Sequence, residues 1–418
     1  MDDDKIRNEL VAFSAEPRKK SRSGLFIYGI LLGLTIGIVW SFVFAGVARS
    51  LPFGVPLGGA KTSTDAKVQR ILQILDAQYV DSFDKEQAIE SMYAGLVYGL
   101  GDPYTSYMDQ KTLTTFMEQT EGTYAGIGVV VSIAEDNRIT VVTPFEGYPG
   151  AKAGILPGDK IIRVNDSEVS GDVYEEAIAM LKGMPGTSVN VTIFRESENR
   201  TIELTILREQ IDIPTVSHRM LDDQVGYIRI TNFDRVTYNQ FLTAYEDLNS
   251  QHMRGLIIDL RNNPGGLLNI VTDMTNLLVP EGYIVYTEDK NGKREYTYSD
   301  DTYIEIPLVL IVNSNSASAS EVMAGAVKDM GMGELVGTQT FGKGLVQNLF
   351  DLRDGTALKI TIAKYYTPSG VCINGEGITP HHIVDMPNEL TTRLSSLSLE
   401  EDPQLQKAIE VVLGKIRN

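Results

Sequence analysis

Two short stretches in the C-terminal half hold residue types that could do chemistry together. Asn313-Ser314-Asn315-Ser316-Ala317-Ser318-Ala319-Ser320-Glu321 follows an apolar run, Pro307 to Val312, that predicts a buried strand. Its small residues then predict a tight turn into a helix at Ser318. A hydroxyl displayed on such a turn is placed to attack, and the helix start behind it offers unpaired N–H groups to a developing oxyanion. Thr340-Phe341-Gly342-Lys343-Gly344-Leu345-Val346-Gln347 supplies a lysine between glycines, 25 positions after Ser318. A lysine in a dry pocket loses its proton readily and can serve as a base. The pair therefore points to a Ser-Lys hydrolase.

Plainer readings exist for both stretches. Ser318 with Glu321 three residues on is also a capping box, and a serine at a helix start is more often a cap than a nucleophile. Lys343 and Gln347 stand four apart, the spacing of a surface pair on a helix. Gly342 and Gly344 argue against that helix, since each costs about 1 kcal/mol relative to alanine in a helix interior.

These stretches, in their order, resemble the carboxyl-terminal processing peptidases, also called tail-specific proteases. Further matching segments are Gly101-Asp102-Pro103-Tyr104-Thr105-Ser106-Tyr107, Tyr124-Ala125-Gly126-Ile127-Gly128, Ala153 to Asp159, Asp259-Leu260-Arg261-Asn262-Asn263-Pro264-Gly265-Gly266, Ala363 to Gly370 and Gly375 to Pro380. The resemblance covers roughly residues 65 to 415. It implies a catalytic set of Ser318, Lys343 and Gln347, with Gln347 orienting the lysine. The oxyanion hole would be the Ala319 N–H with one from Gly265 or Gly266, the choice between the glycines being open. It also implies an α/β (α+β) multidomain chain with a crotonase-like spiral protease core interrupted by a PDZ domain. In relatives the flanking helices, including one like Pro403 to Ile416, build a homodimer platform.

The elements that must position these residues read as alternating strands and helices. Val225 to Ile230, Gly255 to Leu260 and Pro307 to Val312 predict strands, and Tyr238 to Asn249, Leu267 to Leu278 and Ser318 to Lys328 predict helices. If the strands are parallel, the turns at Gly265-Gly266 and at Ser318 share one end of the sheet, where α/β sites gather. Residues 112–208 read as a β-rich PDZ domain by strand and turn pattern as well as by resemblance, with a helix near Asp172 to Lys182. Its groove would take a peptide as an added strand and hold the terminal carboxylate in a nest at Gly126, Ile127 and Gly128. Lys182 stands where relatives often carry an arginine that couples peptide binding to the active site; lysine lacks the bidentate fork, and a solvated surface lysine is the alternative.

Composition sets the surroundings. The 418 residues carry a net charge of −18 and 43% hydrophobic residues, enough for several cores and unsuited to neutralising nucleic-acid phosphates. The uncharged run Leu25 to Ala48 would be about 36 Å long as a helix, sufficient for a bilayer core of about 30 Å. Arg18, Lys19, Lys20 and Arg22 precede it, which predicts a cytoplasmic N-terminus and an extracytoplasmic remainder. Its length favours an uncleaved anchor over a signal peptide. Residues 1–24 then form a tail, 25–48 the anchor, 49–64 a linker, 65–111 a helical region, 209–385 the protease core and 386–418 a C-terminal helical tail.

Other chemistries lack their residues. The single cysteine, Cys372, excludes an internal disulfide. His218, His252, His381 and His382 fit no Ser-His-Asp or His-Glu-x-x-His pattern, and no glycine-rich nucleotide motif occurs, so neither metal nor cofactor is expected. The expected function is a membrane-anchored serine endopeptidase acting on proteins or peptides with free apolar C-termini; a regulatory protein is compatible with it, and whether the PDZ domain activates or blocks the site is open. The alternative is a catalytically silent PDZ adaptor.

Overall fold

The computed structural model describes residues 63–391, 393–394 and 397–417. The anchor expected at 25–48 and nearly all of the linker lie outside them; among the described residues no helix is long and apolar enough to cross a membrane. The chain divides into two units, Met1–Phe83 and Asp84–Asn418. In the first, the helix Thr64–Gln78 is capped by the Ser63 hydroxyl, which accepts from the Ala66 amide at 3.3 Å.

The second unit is built on a six-stranded sheet in the order Val216–Leu221, Val225–Ile230, Gly255–Asp259, Leu308–Val312, Gly333–Gly337 and His382–Ile383. The first strand is antiparallel to its neighbour and the rest are parallel. Strands in such a sheet are buried on both faces, hence the continuous apolar runs. Period-two alternation then divides each run between two cores. Leu308, Leu310 and Val312 pack toward the helices Thr237–Ser250, Leu268–Asn276 and Ala319–Asp329. Val309 and Ile311 face the other way, onto Leu405, Ala408 and Val412 of the C-terminal helix Pro403–Arg417. Each such side chain contributes roughly 1.5–3 kcal/mol by leaving water.

A second sheet places Ser106–Met108 beside Ala357–Tyr366, followed by Gly282–Asp289 and Arg294–Ser299, with Leu345–Asp351 also paired to Ala357–Tyr366. The PDZ fold is a further sheet, Val129–Ile133, Ile139–Pro144, Lys160–Val164, Ser188–Arg195 and Arg200–Leu207, closed by the helix Tyr174–Leu181. Its own core centres on Ile139, Ile161, Ile193 and Ala177. The predicted helix at Asp172 starts two residues later, because Gly171–Val173 forms a 3₁₀ turn. A two-stranded ribbon, Thr123–Gly126 against Glu209–Asp212, carries the chain into and out of this domain. Gly122, at its base, takes φ 68°, and a Cβ there would stand 2.8 Å from Asp234 and Val236.

Candidate active site

The parallel strands bring the turn after Asp259 and the turn after Val312 to one end of the sheet. The side chains of Asn262 and Asn313 stitch the turns together. Asn313 Nδ2 donates to Asn262 Oδ1 at 2.8 Å, and the Asn262 amide donates to Asn313 Oδ1 at 3.0 Å. Asn263 adds four ties: its Nδ2 donates to the Ile230 carbonyl, its carbonyl accepts from the Ala317 amide and the Ser320 hydroxyl, and its Oδ1 accepts from the Gly265 amide at 2.9 Å.

Ser318 is held at φ 54° and ψ −112°, a backbone that non-glycine residues rarely adopt and that surrounding bonds must enforce. It opens the helix Ala319–Asp329, which is buried through Val327. Gly265 packs so close that a Cβ there would lie 2.8 Å from the Ala317 carbonyl and 2.9 Å from Ser318 Cβ. Gly266 bridges Phe233 in parallel fashion, with the Phe233 amide donating to the Gly265 carbonyl and the Leu267 amide to the Phe233 carbonyl. By strand alternation the Gly266 N–H then points away from Phe233. The Ala319 amide lies in the first helical turn, where N–H groups lack intrahelical acceptors.

Glu321 is the hub of the site. Fully buried, it accepts from the Ser318 amide at 2.8 Å, the Thr340 hydroxyl at 2.6 Å, the Gly342 amide at 2.6 Å and the Lys343 amide at 2.8 Å. One carboxylate thus fastens both stretches singled out in the sequence, where periodicity alone marks Glu321 as a capping partner. Four donors satisfy its lone pairs, the condition for a buried charge to be tolerated.

The Lys343 amine stands over the ring of Tyr104, 4.9 Å from its centroid. Burial, and then the nearby Lys359 charge, hold its pKa below the ordinary lysine value, with Glu321 opposing. Among the described residues no hydrogen bond joins this amine to Ser318 or to Gln347. Gln347 Nε2 instead donates to the Leu345 carbonyl at 3.2 Å and the Thr361 hydroxyl at 3.4 Å. Thr361 is also where the Tyr104 loop is clipped on: its amide donates to the Thr105 hydroxyl, which donates to Asp102, and Asp102 accepts from the Tyr104 amide. Tyr365 is buried, which pushes its phenol to about 12, and contact with the Ser318 side chain works in the opposite direction. Neither tyrosine stands out by type or spacing, although Tyr104 lies within Gly101 to Tyr107 and Tyr365 within Ala363 to Gly370.

Beneath the Asn262 turn, Arg261 is fully buried. It bonds Asp259 (Nη2 to Oδ2, 2.6 Å) and Asp402 (Nη2 to Oδ2, 2.8 Å), while the Tyr227 hydroxyl donates to Asp259. This network fixes the strand end to the start of the C-terminal helix. Of the histidines, His381 and His382 both approach Glu334 at 3.5 Å and His218 pairs with Asp247. Among the described residues no cluster of three metal-ligating side chains occurs. Cys372 is half-buried and unpaired.

In the PDZ domain a groove of about 410 Å³ runs between Val129–Ile133 and the helix Tyr174–Leu181, lined by Tyr124, Ile127, Val131, Phe145, Ile178 and Lys182. Gly126 ends the strand Thr123–Gly126, and Ile127, which lines the groove, and Gly128 link it to Val129–Ile133. Lys182 Nζ bonds Glu118 Oε2 at 2.6 Å and lies 5.5 Å from the Tyr124 ring centroid.

Comparison with known proteins identifies the domains. Residues 224–384 match peptidase family S41, residues 125–206 match the PDZ domain, and residues 57–112 match the N-terminal domain of the activating protease CtpB. The chain is 36% identical over 329 residues to a carboxy-terminal-processing protease of Bartonella bacilliformis, covering 77% of this chain and 75% of that one. It is 35% identical over 324 residues to the carboxy-terminal processing protease CtpA of Bacillus subtilis, covering 77% and 69%. The crystal structure of a Bacteroides fragilis protein assigned to the S41 proteases shares the fold, with a TM-score of 0.50 at 14% identity over 81% of this chain and 93% of that one. With a PDZ domain, an S41 peptidase domain and this likeness over three quarters of its length, the chain belongs to the serine-type carboxy-terminal-processing protease family.

Proposed function

We propose that this peptidase is a membrane-anchored endopeptidase that reads the free C-termini of exported or membrane proteins and cleaves them through an acyl-enzyme on Ser318. The observation that carries the reading is the Glu321 carboxylate, which binds the backbone of Ser318 and of Lys343 at once. Residues 25 apart in sequence thereby face one site. Neutral Lys343 takes the Ser318 proton as the hydroxyl oxygen attacks the scissile carbonyl, then delivers it to the leaving amine; water, deprotonated in the same way, releases the acyl group. Ala319 supplies one oxyanion donor. Gly266 is the better second donor, because the Gly265 amide already serves Asn263.

With its amine over Tyr104, Lys343 makes no hydrogen bond to Ser318 among the described residues, so catalysis requires the side chain to turn onto the serine. Gln347, released from Thr361, would then steady it. The groove next to Lys182 suits an apolar tail, and the Glu118–Lys182 pair gives an arriving carboxylate a cation to compete for. The apolar run 25–48 behind a basic flank supports a cytoplasmic N-terminus and an extracytoplasmic catalytic region. The crotonase-like spiral arrangement and a homodimer are part of the same reading.

The test is hydrolysis of one apolar-ended peptide offered with a free or an amidated C-terminus, with Ser318→Ala as blank. Cleavage needing both Ser318 and the free carboxylate is expected. Cleavage by the Ser318→Ala variant would end the serine mechanism, and carboxylate-independent cleavage would end tail reading.

A further inference from the structure

In the PDZ sheet, Val129–Ile133 is the terminal strand and pairs only with Ile139–Pro144. The two are antiparallel, with Val131 opposite Val141. The Val141 amide donates to the Asp159 carbonyl and the Val141 carbonyl accepts from the Gly158 amide, so both of its backbone groups face away from Val131. In an antiparallel ladder that makes Val131 and Val141 a non-hydrogen-bonded pair. The N–H and C=O of Val131 consequently project from the open edge, into the groove where a peptide strand would add.

That carbonyl is occupied by this chain itself. Tyr174, first residue of the helix across the groove, donates its phenolic O–H to the Val131 carbonyl at 3.1 Å. We propose that Tyr174 is a latch on the tail-binding groove: its hydroxyl takes the place of the peptide N–H that an added strand would bring, and a tail engages only by displacing it. The inference rests on the tail-reading function proposed above and names the residue that sets its threshold.

Tyr124 also lines the groove. The Tyr124 ring packs against Gly126, where a Cβ would lie 3.0 Å from its Cε2. Its phenol is pushed up to about 12 by burial.

The experiment measures binding of a fluorescent apolar-ended peptide with a free carboxylate to the full chain carrying Ser318→Ala, with and without Tyr174→Phe. Loss of one competing hydrogen bond should tighten binding about fivefold. The gain should appear in the association rate, with dissociation little changed, since the latch acts before the tail is seated. Tyr174→Leu, which removes the hydroxyl by another route, should raise the association rate likewise. Unchanged or weaker binding in both variants would overturn the latch while leaving tail reading intact. A Ser318→Ala chain with Tyr174 intact that ignores the peptide, or binds its amidated form equally well, would overturn tail reading and the latch with it.

Discussion

Lys343 and Tyr104 meet as a cation and a ring face, 4.9 Å from ammonium to centroid, in a site where burial already lowers the lysine pKa. The two effects oppose each other. Burial favours the neutral amine that a base must be, while the ring favours the ammonium and holds it aside.

Removing the ring should therefore shift the pH dependence of peptide hydrolysis. With Lys343 as the base proposed above, activity should rise with pH as the amine loses its proton. In Tyr104→Leu the acidic limb should move down by about 0.7 pH unit, from a cation–π contribution of roughly 1 kcal/mol, whereas Tyr104→Phe keeps the ring and the limb. A kcat/KM profile for the three chains checks this; a limb common to all three would show that the ring does not act on the amine.

Glu321→Gln removes the charge from four convergent donors and turns an amide NH₂ toward some of them. Hydrogen bonds to a charged group contribute about 1.5–3 kcal/mol each, and part of that loss should appear as a melting temperature several degrees lower. kcat should fall by at least tenfold, because the Ser318 and Lys343 backbones lose their common anchor. Wild-type kcat in a folded Glu321→Gln protein would refute the anchoring role.

Arg261 should prove sensitive on stability grounds alone. Arg261→Met leaves Asp259 and Asp402 buried without their cation, a change that costs about 3–5 kcal/mol. Urea unfolding should show the loss, and activity should fall with it as the Asn262 turn loosens from the C-terminal helix.

Asp234 provides a test of pH-linked stability. Burial raises its carboxyl to about 6 from the ordinary 3.8, while Asn232 donates a hydrogen bond to it. The folded state thus binds the proton more tightly than the unfolded chain. The stabilisation is present in full below about pH 3.8 and is lost as pH rises through about 6. At pH 7.5 the buried anion costs up to about 3 kcal/mol. Asp234→Asn should be the more stable protein at pH 7.5 in urea titrations, with its advantage shrinking steadily toward pH 4.

The sequence by itself determined which elements form and which residue types could react. Short continuous apolar runs such as Leu308–Val312, rich in β-branched residues, favour strands buried on both faces, and the small residues following them favour sharp turns, so Ser318 and Gly265-Gly266 were legible as strand-end turns. Lys343, between glycines, was legible as a residue outside a helix. These are local properties, set by side-chain period and backbone freedom within a few residues. What only the tertiary structure decided are contacts between segments far apart in the chain. Tyr104 over Lys343 needs a loop more than two hundred residues away to be clipped to Thr361. The Gly265 amide is claimed by Asn263, which favours Gly266 as a donor, and Glu321 turns out to be a hub rather than only a cap. Tyr174 over Val131 depends on which way one strand's carbonyls face, a register that pairing with Val141 sets and that no periodicity encodes.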